Sequence, residues 1–287
     1  QWDFTSTQHI MLSTLTLDGV ERKVILHAPK NGFFYVIDRA TGELLSAEPF
    51  EDVTWATHVD MKTGRPVENK ELADYGDGKP KLVFPSAVGA HNWNPMSHSP
   101  KTGLVYIPTV HMGMVMWGGT EGTWLPGRMN TNVQTIFGAQ LAAPETLPPN
   151  VRALITPEFL AKHPSIEATA ALKAWDPVNH KAVWSFPGNS FMDHGGVLST
   201  GGGLVVQGSI DGTLRVFRDT DGELLKEIEV GTAMIAAPMS YTVDGEQYIA
   251  ILAGSGGGGW SSWMPQNIAF RKGNANRILA FKLDGGA

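Results

Sequence analysis

The sequence has 287 residues, only 17% of them charged, with a net charge of −6 at pH 7 and no cysteine. No basic run is present, which argues against a nucleic-acid partner, and no apolar stretch reaches the ~18 residues of a membrane-spanning helix. The missing cysteines exclude disulfides, thiolate metal sites and a c-type haem attached within this chain. The first residue is Gln1 and no leader pattern follows it, so the sequence is expected to be processed, cut or truncated. Its 33 glycines, 18 prolines and 9 tryptophans, with little helical periodicity, predict short strands joined by tight turns.

Residues 24–28 and 33–38 are apolar runs on either side of Lys30-Asn31-Gly32, which predicts a hairpin. Asp38, Thr41 and Gly42 predict a second tight turn, in which Asp and Thr bond nearby main-chain groups and Gly takes a positive φ. Residues 96–97 leading into 103–107 read as strand, glycine turn, strand; the unit recurs at 198–207 and 239–250. The segment 117–170 breaks this rhythm. It reads as a long loop excursion over one mouth of the fold, with a short helix over 157–163 opened by Pro157, or as a surface insertion without a role. The Asp-turn grammar returns over 172–184, and Gly222-Glu223-Leu224-Leu225 repeats Gly42-Glu43-Leu44-Leu45. A degenerate copy covers 277–285. Such repeats predict an all-β β-propeller with about four blades of four-stranded antiparallel sheet. One twisted sheet cannot bury both faces alone, so neighbouring blades must cover it. A β-sandwich with chance self-similarity is the competing architecture.

Taken singly, the polar residues are ambiguous. Asp3, between Trp2 and Phe4, reads as a turn or capping aspartate, and Lys30 as an exposed turn lysine. Asn92, next to Trp93 in Gly89-Ala90-His91-Asn92-Trp93, has an amide that both donates and accepts at a polar heterocycle. His91 has no catalytic reading, and the nine histidines show no metal spacing. The glycine loop from Gly254 to Gly259 lacks the Gly-Lys-Ser/Thr of a phosphate loop. No strand-Gly-x-Gly-x-x-Gly-helix unit for a nicotinamide cofactor is present.

Trp2-Asp3-Phe4, Lys30 downstream of it and the Gly89–Trp93 motif together resemble the pyrroloquinoline quinone (PQQ) alcohol dehydrogenases, the quinoproteins. The resemblance spans nearly the whole chain and is weakest over 117–170. It implies that 1–287 is the C-terminal part of a single eight-bladed propeller domain, with the N-terminal blades outside this chain. It further implies PQQ- and calcium-dependent oxidation of a small alcohol to an aldehyde or ketone, in the periplasm, with a cytochrome c or similar electron acceptor. Asp3 would be the catalytic base and a calcium ligand. Lys30 would face the quinone oxygens, and Asn92 and Trp93 would contact the cofactor. His194 stands where the family usually carries a tryptophan beside PQQ, and Gly256 and Gly257 fall in the last-blade glycine loop near its edge. Members that use lanthanides carry a further aspartate two residues after the base; Thr5 stands there, which implies calcium. A propeller scaffold for binding or assembly, without catalysis, is the alternative.

Overall fold

The computed structural model describes residues 2–73, 75–118, 124–127, 130, 133–163, 165–193, 195–255 and 264–282. Strands β1 (Ile10–Leu17), β2 (Val20–His27), β3 (Phe33–Asp38) and β4 (Leu44–Pro49) form a first antiparallel meander, followed by a hairpin of β5 (Ala56–Asp60) and β6 (Arg65–Glu68). Next come β7 (Lys81–Val83), β8 (Ser97–His98), β9 (Val105–His111), β10 (Met114–Gly118), β11 (Val133–Phe137), β12 (Thr169–Asp176) and β13 (Lys181–Pro187). Of these, β8, β9, β12 and β13 make the second four-stranded sheet, and β7, β10 and β11 a smaller three-stranded one. The third sheet joins β14 (Val197–Ser199), β15 (Leu204–Gly208), β16 (Thr213–Arg218) and β17 (Leu224–Glu229). The fourth holds β18 (Met239–Val243), β19 (Glu246–Ala253) and β20 (Arg277–Lys282), three strands rather than the expected four among the described residues.

The turns follow from local chemistry. Asp38 Oδ1 accepts from the amides of Ala40 and Thr41, and Gly42 sits at φ +79°. Asp176 does the same for Val178 and Asn179, with His180 in the left-handed position. A further copy at Asp60, bonding Lys62 and Thr63 and closed by Gly64, was not among the sequence repeats. The strand partners shift register beside the first two turns, between Val36 and Ile37 and between Ala174 and Trp175, and again between Val216 and Phe217 before the turn that holds Gly222 at φ +73°.

The large sheets pack face to face in chain order. Leu15, Val24, Leu26 and Val36 of the first sheet share a core with Val105, Ile107 and Trp175 of the second. On the other face of the second sheet, Tyr106, Leu172 and Trp184 meet Val205 and Phe217 of the third. Val206 and Leu214 of the third then meet Ile249 and Ile251 of the fourth. The outward faces of the two end sheets keep apolar side chains in solvent: Ile10 and Leu12 on β1, Leu252 and its partner Ile278 on β19 and β20.

The excursion leaves at His111 and returns at Thr169, residues that pair across β9 and β12. It is more ordered than a loop: β10 pairs with both β11 and the distant β7, and the helical turns α1 (Gly138–Leu141), α2 (Pro149–Arg152) and α3 (Pro157–Lys162) follow. Leu82, Phe84, Val115, Leu141, Leu147 and Val151 give it a core of its own. The predicted helix is α3, capped by Thr156, whose hydroxyl accepts from the Phe159 amide at 3.1 Å. Among the described residues, the helical elements outside this segment are a 3-10 turn at Lys70–Leu72 and α4 (Ala269–Lys272), each a single turn.

Phe217 is fully buried between the second and third sheets, with its ring 4.8 Å from Phe186 and 6.2 Å from Trp184. Phe217→Ala is expected to cost about 3–5 kcal/mol, the range for emptying a large aromatic site, read from the denaturant midpoint. A loss below about 0.5 kcal/mol, typical of a surface position, would mean that these sheets do not share this core.

Candidate functional site

The site begins with an aromatic clamp. Trp2 is buried, its indole N–H donates to the Leu72 carbonyl at 3.2 Å, and its ring lies 5.0 Å from Trp55. Phe4 packs on the same Trp55 at 5.2 Å. Trp55 in turn donates from Nε1 to the Asn31 carbonyl at 2.9 Å, in the turn between β2 and β3. The residue between the two anchored aromatics is therefore delivered beside that turn. It is Asp3, at φ +61°, a left-handed conformation that Asp tolerates better than most residues.

Lys30 is the residue it meets. Its Nζ donates to the Asp3 carbonyl at 3.1 Å and lies 3.3 Å from Asp3 Oδ2. The lysine side chain is 11% exposed and the aspartate 65%, so a buried stem presents its charge to an open carboxylate. Gly89 makes room for the stem: a Cβ at Gly89 would stand 2.4 Å from Lys30 Cγ. The Ala90 amide donates to the Lys30 carbonyl at 2.9 Å, and the Val110 amide to the Ala90 carbonyl at 2.8 Å, tying the 86–94 segment to the end of β9.

The other predicted residues divide. Asn92 is part-buried on the same segment, but its amide is partly committed: Nδ2 donates to the Val88 carbonyl at 2.7 Å, and Oδ1 accepts from the Trp93 amide at 2.8 Å. One N–H remains for a ligand. Trp93 is 43% exposed. His194, Gly256 and Gly257 lie outside the described residues. Next to the first of these, Asp193 is buried, and burial pushes its carboxyl above the ordinary range despite bonds from the Asn189 and Ile210 amides. Among the described residues no group of three or more His, Asp or Glu is placed to hold a metal ion.

Sequence reasoning missed Trp55, which no spacing links to Trp2, and it missed a charged cluster under the excursion. Lys173 Nζ donates to Glu51 Oε1 and to the Phe50 carbonyl. His111 Nδ1 stands 3.7 Å from Glu51 and 4.0 Å from Asp52, while its Nε2 faces the Ser165 carbonyl at 3.0 Å. His163, which follows α3, stacks on Phe84 and holds Nδ1 3.3 Å from Asp52. The Glu51 carboxylate raises the His111 pKa above its ordinary value, against the effect of burial.

A raised imidazole pKa stabilises the folded form at low pH. The contribution is complete below the ordinary histidine value of ~6.5 and vanishes as pH climbs through the raised one. The excursion is therefore expected to open more readily as pH rises through that window, seen as faster amide exchange over 157–163. His111→Gln should remove the dependence. Equal pH profiles for the two proteins would show that His111 does not hold the excursion.

A family model described as PQQ, glucose/ethanol/alcohol dehydrogenase, β-propeller domain, matches residues 65–249. Quinohemoprotein alcohol dehydrogenase ADH IIB of Pseudomonas putida is 41% identical over 291 aligned positions, which cover 100% of this chain and 38% of that protein. The 1-butanol dehydrogenase (cytochrome c) of Thauera butanivorans is 40% identical, with 89% of this chain and 34% of that protein covered. The solved structure of quinohemoprotein alcohol dehydrogenase ADHIIG from Pseudomonas putida HK5 superposes with a TM-score of 0.82 at 38% identity, covering 100% of this chain and 40% of the other. A europium-containing methanol dehydrogenase gives 0.71 at 28% identity, covering 88% and 40%. The chain thus spans about two fifths of the length of the curated relatives it matches.

Proposed function

This chain belongs to the PQQ-dependent glucose/ethanol/alcohol dehydrogenase β-propeller family, and from that premise we propose that it forms part of an enzyme that oxidises an alcohol to an aldehyde or ketone. The observation that carries the proposal is the Asp3–Lys30 contact. A carboxylate open to solvent and a fixed ammonium share one spot, and the clamp of Trp2, Phe4 and Trp55 holds them there. The presence of Asp3, Lys30 and Asn92 together argues against a non-catalytic scaffold, which has no need of all three.

The residues fit a flat, acidic quinone on one side. Lys30 offers a fixed cation to its oxygens, Asn92 one free N–H, and Trp93 an exposed ring. PQQ, when bound, supplies the hydride acceptor. Asp3 takes the hydroxyl proton of the alcohol at its carboxylate, a role for which an exposed, laterally held carboxylate is suited. Lys30 stabilises negative charge as it develops on the acceptor. Calcium is a poorer fit to this chain alone, because Asp3 offers one carboxylate that already faces an ammonium at 3.3 Å. A calcium site needs 6–8 oxygens, so Asp3 would be a single contribution to a set completed by residues outside 1–287. The same reading places the chain as half of an eight-bladed ring. The bare apolar faces around Ile10 and Leu12 and around Leu252 and Ile278 support it, since further blades would cover them. A cytochrome c or similar acceptor and a periplasmic location belong to this proposal, as does the dependence on the missing blades.

In the complete enzyme Asp3→Asn is expected to lower kcat by at least ~100-fold, the lower range for losing a general base. PQQ binding should weaken less, because Lys30 and Asn92 remain. Steady-state kinetics with an artificial electron acceptor test this. A near-normal kcat with a lowered melting temperature would make Asp3 a turn residue and remove the catalytic assignment.

The choice of ion is tested separately. With Thr5 where a second carboxylate would stand, calcium is expected to restore more activity to the metal-stripped complete enzyme than a lanthanide does. Higher activity with the lanthanide would reverse the assignment.

A further inference from the structure

His91 has no solvent exposure, and both of its ring nitrogens meet main-chain oxygens. Nδ1 lies 2.6 Å from the Ala28 carbonyl and Nε2 lies 2.7 Å from the Asn94 carbonyl. A carbonyl oxygen only accepts, so the ring is the donor in any bond it makes here. The two carbonyls belong to the two segments that carry the candidate site. Ala28 comes two residues before Lys30, and Asn94 closes the segment that carries Asn92. The same segments are joined again by the Ala90 amide bond to the Lys30 carbonyl. Gly89 presses so closely on Lys30 that a Cβ would stand 2.7 Å from its Cα.

We propose that His91 is a positioning residue: its ring staples the 28–30 turn to the 88–94 segment and so fixes Lys30 relative to Asn92. The role in turnover rests on the quinone-site reading above; the role in placing Lys30 does not. Burial drives the ring toward its neutral form, while the two carbonyls pull the other way. A neutral ring has one N–H and donates to one of the two carbonyls, and only the protonated ring donates to both, so in the neutral form the buried ring joins the segments by one hydrogen bond and by packing. Nothing else about His91 suggests a direct part in chemistry, since it touches no solvent.

The test removes the donors and keeps the volume. In His91→Phe, made in the complete enzyme, the loss of a supporting contact is expected to cost about 10-fold in PQQ affinity, read by tryptophan fluorescence, and a similar factor in kcat with little change in KM. A second readout needs no cofactor. Acylation of Lys30 in the apoenzyme, followed by peptide mass spectrometry and referenced to the exposed Lys101, should speed up several-fold as the amine loses its fixed place. His91→Gln, which keeps a donor, should fall between wild type and His91→Phe, and it decides the question if His91→Phe does not fold. A folded variant that labels Lys30 at the wild-type rate, with only its melting temperature lowered, overturns the proposal. Failure of the wild-type enzyme to bind PQQ would instead sink the quinone reading, and Lys30 labelling would still decide the role of His91.

Discussion

The structure rests on one constraint: its central strands are apolar on both faces, so every sheet must be covered twice. On β9, Val105 and Ile107 point into the core shared with the first sheet, while Tyr106 between them points into the core shared with the third. On β15, Val205 faces the second sheet and Val206 the fourth. Because strand side chains alternate with period two, a slip of one residue would exchange these faces and ruin both cores at once. Register and sheet order are therefore fixed together. The outer face of the first sheet is covered at β3 and β4 by Trp2, Trp55, Val59 and Val83, but Ile10 and Leu12 on β1, like Leu252 and Ile278 on the fourth sheet, remain exposed.

That stack brings loops from separate sheets to one mouth. The turn at 28–32 ends the first sheet's inner hairpin, and the 86–94 segment runs beside the end of β9. The bond from the Phe50 amide to the Gly32 carbonyl adds the exit of β4. Magnitudes show what does the holding. An ion pair with one partner as exposed as Asp3 contributes about 0–1 kcal/mol after screening. Burying a large apolar side chain contributes about 1.5–3 kcal/mol. Trp2, buried against Trp55, therefore fixes the N-terminal segment, and the Asp3–Lys30 pair is a consequence of that anchoring.

Legibility in the sequence followed the range of the forces. The Asp-led turns are local side-chain chemistry, and those at Asp38 and Asp176 are legible from it. The copy at Asp60 escaped because β5 and β6 are largely polar and exposed, with no apolar alternation to flag them. The excursion was misjudged as loop because β10 depends on β7, some thirty residues upstream in sequence, and no periodicity links the two. At the site, family likeness singles out Asp3, Lys30 and Asn92 as candidates. It did not show that Asn92 spends part of its amide on its own loop, or that Trp55 completes the clamp. Both are properties of tertiary placement.

The residues at the mouth sort by how completely they are bonded. Trp2, His91 and Trp55 are buried and have partners within the chain, and Gly89 is present because nothing larger fits beside Lys30. Asp3, Trp93 and the free N–H of Asn92 are left exposed or with unspent hydrogen-bonding capacity. Folding alone would not favour that second group, since incompletely paired polar atoms add little stability. A well-packed shell carrying a few under-bonded groups is the arrangement expected where a ligand completes the hydrogen bonding. Lys30 stands at the boundary between the two, with a buried stem and a charge delivered to the open side, and that is why its placement governs the rest of the site.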